Sequence, residues 1–376
     1  MINNKKHILA LASWYPSRIF IDNGDFIQRH LQAISLLNNV TLIHAVKDKN
    51  LQKDYEILDS TNKGIREIII YFKPSVFRPF NLIKQIKAYL KGVSLVNNFD
   101  IIHLNVIYPA GLVALYLKSK YKKPILLTEH WSGLHENNFK KISAYKQFFI
   151  KNIFRKVDFI SPVSMYLMNE INKIIKEKKY EIIPNVVNIN LFKISNSTKN
   201  TPKKFLHLSN LDDKVKNISA MLNTSKKLYN EGYKFEFHIG GNGDSSYILD
   251  YVNKNNLHNC IKVFSRIEHQ EVYKKMNSVD CFVLFSNYEN QPCVQIEAFA
   301  CGIPVIAKNV GGISEFFPDN FGFLVNNENE LYDAMKQVIN GKEFENSIKL
   351  NEFAINHFSS SIISKKYNDI YNKMLQ

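Results

Sequence analysis

Short apolar runs, each followed by a stretch of helical periodicity, recur along this chain from end to end. In the first half the runs fall at residues 7–12, 40–45, 68–71, 101–104 and 125–128, with helical patterns at 26–37, 81–96 and 110–119 between them. Runs this apolar are buried on both faces, and strand–helix alternation implies a mostly parallel sheet with helices on both sides. A polar stretch at 195–204 reads as a linker, after which the alternation restarts. Strands are expected at 205–208, 234–239, 261–264, 281–285, 305–307 and 322–325, with helices at 218–230, 247–255, 271–276, 294–301 and 330–341, and residues 311–315 opening another. At 376 residues the chain exceeds one compact core. The expected fold is therefore α/β, with two Rossmann-like, doubly wound parallel-sheet domains at 1–190 and 201–357, and a final amphipathic helix within 358–376.

Hydrophobic residues make up 45% of the chain and charged residues 22%, the balance of a folded globular protein. Cys260, Cys281, Cys293 and Cys301 show no close paired-ligand spacing, which argues for a reducing compartment and against a zinc site. The first apolar run is too short for a signal-peptide core, and no run approaches ~20 residues, so a cytoplasmic location is expected. Charge is unevenly spread: residues 1–185 carry 28 Lys/Arg against 14 Asp/Glu, and residues 186–376 carry 21 against 20. Nearly all of the +15 net charge lies on the first half. Such asymmetry points to an anionic partner of that half: nucleic acid, a membrane surface or a phosphate-bearing substrate.

The segment 286–297 carries two carboxylates, Glu289 and Glu297, eight positions apart, with a turn-prone Asn290-Gln291-Pro292 between strand and helix. Ligands of open α/β sheets bind at the carboxyl ends of strands, so Glu289 belongs on a ligand-facing loop and Glu297 on the helix behind it. Carboxylates there suit sugar or ribose hydroxyls and would repel phosphate. His130 follows the strand at 125–128, Gly24 precedes the first helix, and Gly240-Gly-Asn-Gly243 lacks the dinucleotide fingerprint. Residues 138–159 read as one basic amphipathic helix. At ~100° per residue Lys140, Lys141, Lys151 and Arg155 share a sector, as expected of a membrane-surface helix or of a surface helix that packs its aromatics inward.

Taken in order, these landmarks resemble glycosyltransferase family 4, retaining sugar-nucleotide transferases of the two-Rossmann GT-B fold. The likeness is strongest over 205–325: Glu289-x₇-Glu297, continuing through Gly302-Ile303-Pro304 and Gly311-Gly312-Ile313-Ser314-Glu315. Ile183-Pro184-Asn185 resembles the family's hinge, and Phe358-Ser359 the start of a C-terminal helix that crosses back to the first domain. The resemblance implies two domains facing across a cleft, acceptor-side and donor-side. Glu289 would lie beside the transferred sugar, Glu297 at the ribose, and Asn290 and Gln291 at sugar and phosphates. Lys216 would neutralise the diphosphate, Gly24 would face it from the first domain, and His130 would stand near the sugar. Where many members carry an arginine, this chain has Asn210, so one charge partner is replaced.

The implied activity is metal-independent transfer, with retention, from a nucleotide-diphosphate sugar to a saccharide or lipid-linked saccharide in surface polysaccharide or lipopolysaccharide synthesis. No metal or other cofactor is expected, and the basic half would rest on the inner face of the membrane. Rival readings are a sugar-nucleotide epimerase or hydrolase on the same fold, and a basic nucleic-acid-binding protein. The latter lacks any recognisable nucleic-acid motif, so no nucleic-acid partner is expected.

Overall fold

A computed structural model describes residues 5–77, 79–195 and 201–376. The chain forms two compact units, Met1–Val186 with Ser360–Gln376, and Val187–Ser359. Among the described residues, the first unit contains seven strands: β1 (His7–Ala12), β2 (Asn39–Lys47), β3 (Tyr55–Asn62), β4 (Ile65–Phe72), β5 (Ile101–Asn105), β6 (Ile125–Glu129) and β7 (Phe159–Pro162). Its helices are α1 (Asp25–Ser35), α2 (Phe80–Val93), α3 (Ala110–Tyr121), α4 (Glu136–Phe139), α5 (Ala144–Lys156) and α6 (Met165–Ile174). The second unit contains β8 (Lys203–Ser209), β9 (Phe235–Gly241), β10 (Ile261–Phe264), β11 (Cys281–Leu284), β12 (Val305–Lys308) and β13 (Gly322–Val325). Around them lie α7 (Asp213–Lys216), α8 (Ile218–Asn230), α9 (Ser246–Lys254), α10 (His269–Asn277), α11 (Cys293–Ala300), α12 (Glu328–Ile339) and α13 (Ser347–Phe358). The last helix, α14 (Ser360–Leu375), belongs to the first unit and packs on α1.

The sheet orders are β3-β4-β2-β1-β5-β6-β7 and β10-β9-β8-β11-β12-β13. With the antiparallel edge strand β3 set aside, both follow the same doubly wound order, reversing at β1/β5 and at β8/β11. Each reversal opens a crevice at the strands' carboxyl ends. Burial on both faces follows strand periodicity: Leu9 and Leu11 enter one core of the first unit, and Ile8, Ala10 and Ala12 the other. In the second unit Cys281 and Val283 face one core while Phe282 and Leu284 face the opposite one.

Four features depart from the sequence expectation. The unit boundary falls between Val186 and Val187, upstream of the expected linker at 195–204; residues 196–200 of that linker lie outside the described residues, and Lys203 already belongs to β8. The edge strand β3 is mostly exposed, so its few apolar residues, Tyr55, Ile57 and Leu58, do not make the continuous apolar run that marks buried strands. Residues 311–315 open only a short 3₁₀ turn, Ser314–Phe316. The single basic helix expected at 138–159 is two helices: Ile142 packs against the core between them, Ser143 is extended and begins α5, and Phe159 starts β7. Lys140 and Lys141 are therefore out of helical phase with Lys151 and Arg155, and the four do not form one helix face.

Candidate active site

In the second unit the reversal point brings together the loops after β8 and β11. Lys216, the last residue of α7, donates from Nζ to Oε1 of Glu289 at 2.6 Å, and both side chains are largely shielded from water. Asn287 fixes this approach through its backbone N–H to the Val215 carbonyl (2.7 Å) and its Nδ2 to the Lys214 carbonyl (3.2 Å). Lys308, at the end of β12, donates to Asn287 Oδ1 at 2.9 Å. Lys308 was not singled out from sequence, because it stands alone at the end of an otherwise apolar strand. The Glu289 carbonyl accepts from the Gly312 N–H (3.2 Å), joining the third loop to the first two.

Pro292 caps the N-terminal end of α11, and Glu297 lies five residues into that helix, buried. Asn290 and Gln291 are also buried, in the loop just before it. Asn210 is exposed and bends the β8 loop by accepting the Asp212 N–H on its side-chain oxygen. Behind that loop His207 bridges the Val283 carbonyl (2.8 Å) and Ser209 Oγ (2.9 Å), and burial lowers it to about 4, so it is neutral at pH 7. The arrangement presents ammonium groups and a carboxylate at the mouth of a parallel-sheet crevice, a set suited to a ligand with both phosphates and hydroxyls.

In the first unit, Gly24 sits at the N-terminal end of α1 and His130 at the carboxyl end of β6. The His130 ring lies 4.5 Å from Phe26 and 5.2 Å, edge-on, from His30. Burial, with His30 and His103 close by, holds His130 well below the ordinary histidine range, so its imidazole is neutral. Glu129 went unremarked in the sequence. It is fully buried and accepts the backbone N–H groups of Ile107 (2.9 Å), His130 and Trp131 (both 2.8 Å), which fixes the β6 loop. Burial pushes its carboxyl up to about 7 against the pull of those three amides.

The same unit holds a cavity of about 720 Å³. Trp14, Asn23, His44, Tyr108, Tyr145 and Lys146 are among its walls, so it adjoins the loop that ends at Gly24. Aromatic faces with interspersed amides and lysines can stack on sugar rings and bind their hydroxyls. Lys140, Lys141, Lys151 and Arg155 do not line it. Lys140 pairs with Glu136, Lys151 lies over the Phe139 ring, and Arg155 borders a separate cavity with Lys118 and Lys178.

The family model for glycosyl transferases group 1 matches residues 189–354, and that for Glycosyltransferase Family 4 matches residues 33–191. The chain is a group 1, family 4 glycosyltransferase. It is 27% identical over 295 residues to an uncharacterized glycosyltransferase of Methanocaldococcus jannaschii, covering 75% of this chain and 78% of that one. It is 24% identical over 326 residues, 82% of each chain, to a glycosyltransferase of Bacillus subtilis provisionally assigned to teichuronic acid biosynthesis. The solved structure of Anabaena HepE in complex with UDP matches with a TM-score of 0.76 at 16% identity, over 98% of this chain and all of that one. At that identity the likeness speaks for the fold, and the fold of this glycosyltransferase is GT-B.

Proposed function

We propose that this glycosyltransferase moves a sugar from a nucleoside-diphosphate donor to a saccharide or lipid-linked saccharide, without a metal and with retention at the anomeric carbon. The pathway would be cell-surface polysaccharide or lipopolysaccharide synthesis, in the cytoplasm at the inner face of the membrane. The observation that carries the reading is the Lys216–Glu289 pair at the β8/β11 reversal, 2.6 Å apart and shielded from water. Similarity to a relative assigned to teichuronic acid biosynthesis and to a structure with bound UDP supports the choice of pathway and donor.

The chemistry follows from where charge develops. Breaking a sugar–diphosphate bond leaves an oxocarbenium-like sugar and a more negative diphosphate, and groups preorganised around that charge lower the barrier. Lys216 would meet the diphosphate, and Lys308 adds a second cation at the edge of the same crevice. Glu289 would accept from the sugar hydroxyls and Glu297 from the ribose, with Asn290 and Gln291 shaping the loop between them. Gly24 would bring backbone amides to the phosphates, and neutral His130 would orient the sugar. The 720 Å³ cavity would hold the acceptor saccharide.

The test is transfer from a labelled sugar nucleotide by Glu289→Ala and Lys216→Ala. Each is expected to lose ~10²–10³ in rate. Unchanged transfer by Glu289→Ala would sink the assignment. A free epimerised donor formed without acceptor would instead establish the epimerase reading. Activity that survives exhaustive chelation and a product retaining the donor's anomeric configuration are the further expectations.

A further inference from the structure

On α2 the residues Ala88, Tyr89, Gly92 and Val93 are buried. A Cβ on Gly92 would stand 2.7 Å from Ile43, which shows how closely this face sits on the sheet. The outward residues are Phe80, Ile83, Lys87 and Lys91. At 100° per residue these four fall within ~80° of arc, a single stripe ~16 Å long. Val76 and Phe77, just before the helix, extend its apolar end. Val76 is fully exposed, Phe77 61%, Phe80 52% and Ile83 48% exposed.

These apolar groups are held in place. Asn81 accepts the Ser75 N–H at 2.7 Å and returns a bond to the Ser75 carbonyl at 3.2 Å, which clamps the turn carrying Val76 and Phe77. The Phe77 and Phe80 rings lie 5.4 Å apart. On the opposite side of α2, at its N-terminal end, Asn81, Leu82 and Gln85 line the 720 Å³ cavity, together with Pro79 and half-exposed Phe20. Residues 73–98 contain five Lys/Arg and no Asp or Glu.

We propose that this stripe, from Val76 to Lys91, docks the first unit on an anionic bilayer, its aromatic end in the acyl boundary and its lysines at the headgroups. The chemistry is that of an interfacial amphipathic helix: apolar area at one end, and cations with long alkyl stems at the other. A second copy of the chain fits less well, because a two-fold contact would set the same basic stripe against itself. Because Pro79, beside Phe80 at the aromatic end of the stripe, is also part of the cavity wall, docking that end would bring the cavity's rim to the membrane, where a saccharide carried on a lipid could reach it. Only that last consequence rests on the transferase reading.

The experiment is co-sedimentation of the full chain with vesicles of phosphatidylcholine alone or mixed with phosphatidylglycerol. The parent protein is expected to bind the anionic vesicles selectively. The pair Phe77→Ser with Phe80→Ser should weaken partitioning at least ~10-fold, and Lys87→Glu with Lys91→Glu by more than ~25-fold, about fivefold per lost lysine with the added carboxylates repelled as well. Lys140→Glu with Lys141→Glu, on the segment that sequence periodicity favoured, should change it far less. Thermal melts of the exposed-site variants should match the parent. Equal binding to both vesicle types, or full binding by the Phe77/Phe80 variant, overturns the proposal. So does a lipid-free dimer that the Phe77/Phe80 substitutions dissociate, because the stripe would then be covered by a second copy. UDP binding in lipid-free solution should be unaffected by the Phe77/Phe80 pair. Its absence in the parent would count against the donor reading and leave the docking result standing.

Discussion

At Gly311 the backbone turns through φ +60°, and a Cβ placed there would stand 1.8 Å from the Glu289 carbonyl oxygen. The Gly311-Gly312 turn thus presses directly on the loop that carries Glu289. Gly311→Ala is expected to cost about 1–3 kcal/mol in backbone strain and to lower donor affinity, since the Glu289 backbone must move. Isothermal titration with UDP alongside a thermal melt checks both. Gly24 is a second position of this kind: φ is +77°, and an added Cβ would meet the Trp14 carbonyl at 2.8 Å. Gly24→Ala should disturb the loop walling the 720 Å³ cavity, draw its amides away from the phosphates, and reduce both transfer and UDP affinity. Unchanged acceptor kinetics in that variant would refute the expectation.

Helix α14 docks on the first unit through a buried polar network. Tyr367 Oη lies 2.7 Å from His30 Nδ1 and 3.1 Å from Thr128 Oγ1, and Tyr371 Oη lies 2.7 Å from His103 Nδ1. His103 Nε2 is 2.7 Å from Thr128 Oγ1, and His30 Nε2 is 3.3 Å from Asn185 Oδ1. Burial lowers His30 from the ordinary 6.5 to about 4, and His103 to about 3. A base depressed by folding contributes stability that is present above its unfolded value and lost as pH falls toward its folded one. The first unit should therefore lose stability from about pH 6.5 down to pH 4. His103→Gln should flatten that part of the profile, as measured by denaturant melts across the range. A profile identical to the parent's would show that His103 is not the titrating group.

The first unit is assembled from two separated pieces of chain, which cross at Val186-Val187 and return at Ser359-Ser360. Where the crossings fall, Val187 and Ser359 pair side by side, and the Val187 N–H donates to the Phe358 carbonyl at 2.9 Å. Ile363, Tyr367, Ile370 and Tyr371 of the returning helix are buried in the first unit's core. Deleting residues 360–376 should strip cover from that core and lower its melting transition by many degrees, while the transition of the second unit moves little. Calorimetry of the truncated chain tests this, and coincident loss of both transitions would contradict it.

Strand–helix alternation was legible because strands buried on both faces are written as continuous apolar runs, as in Ile8–Ala12 and Cys281–Leu284. The Glu289/Glu297 spacing and Lys216 were legible because loop and helix fix their places along the chain. What the sequence could not supply was every relation that depends on which strands become neighbours. The Lys216–Glu289 contact spans 73 positions and exists because β8 and β11 are adjacent at the sheet's reversal. Lys308 and Glu129 acquire their roles the same way, from loops gathered at the strand ends. The apparent basic helix at 138–159 failed because periodicity counts residues and cannot register that Ile142 gains more by turning into the core than by continuing a helix. Local order was set by the sequence alone through burial and propensity; the grouping of charges at the site was decided by tertiary packing, because Coulomb attraction and hydrogen bonding act on distance in space.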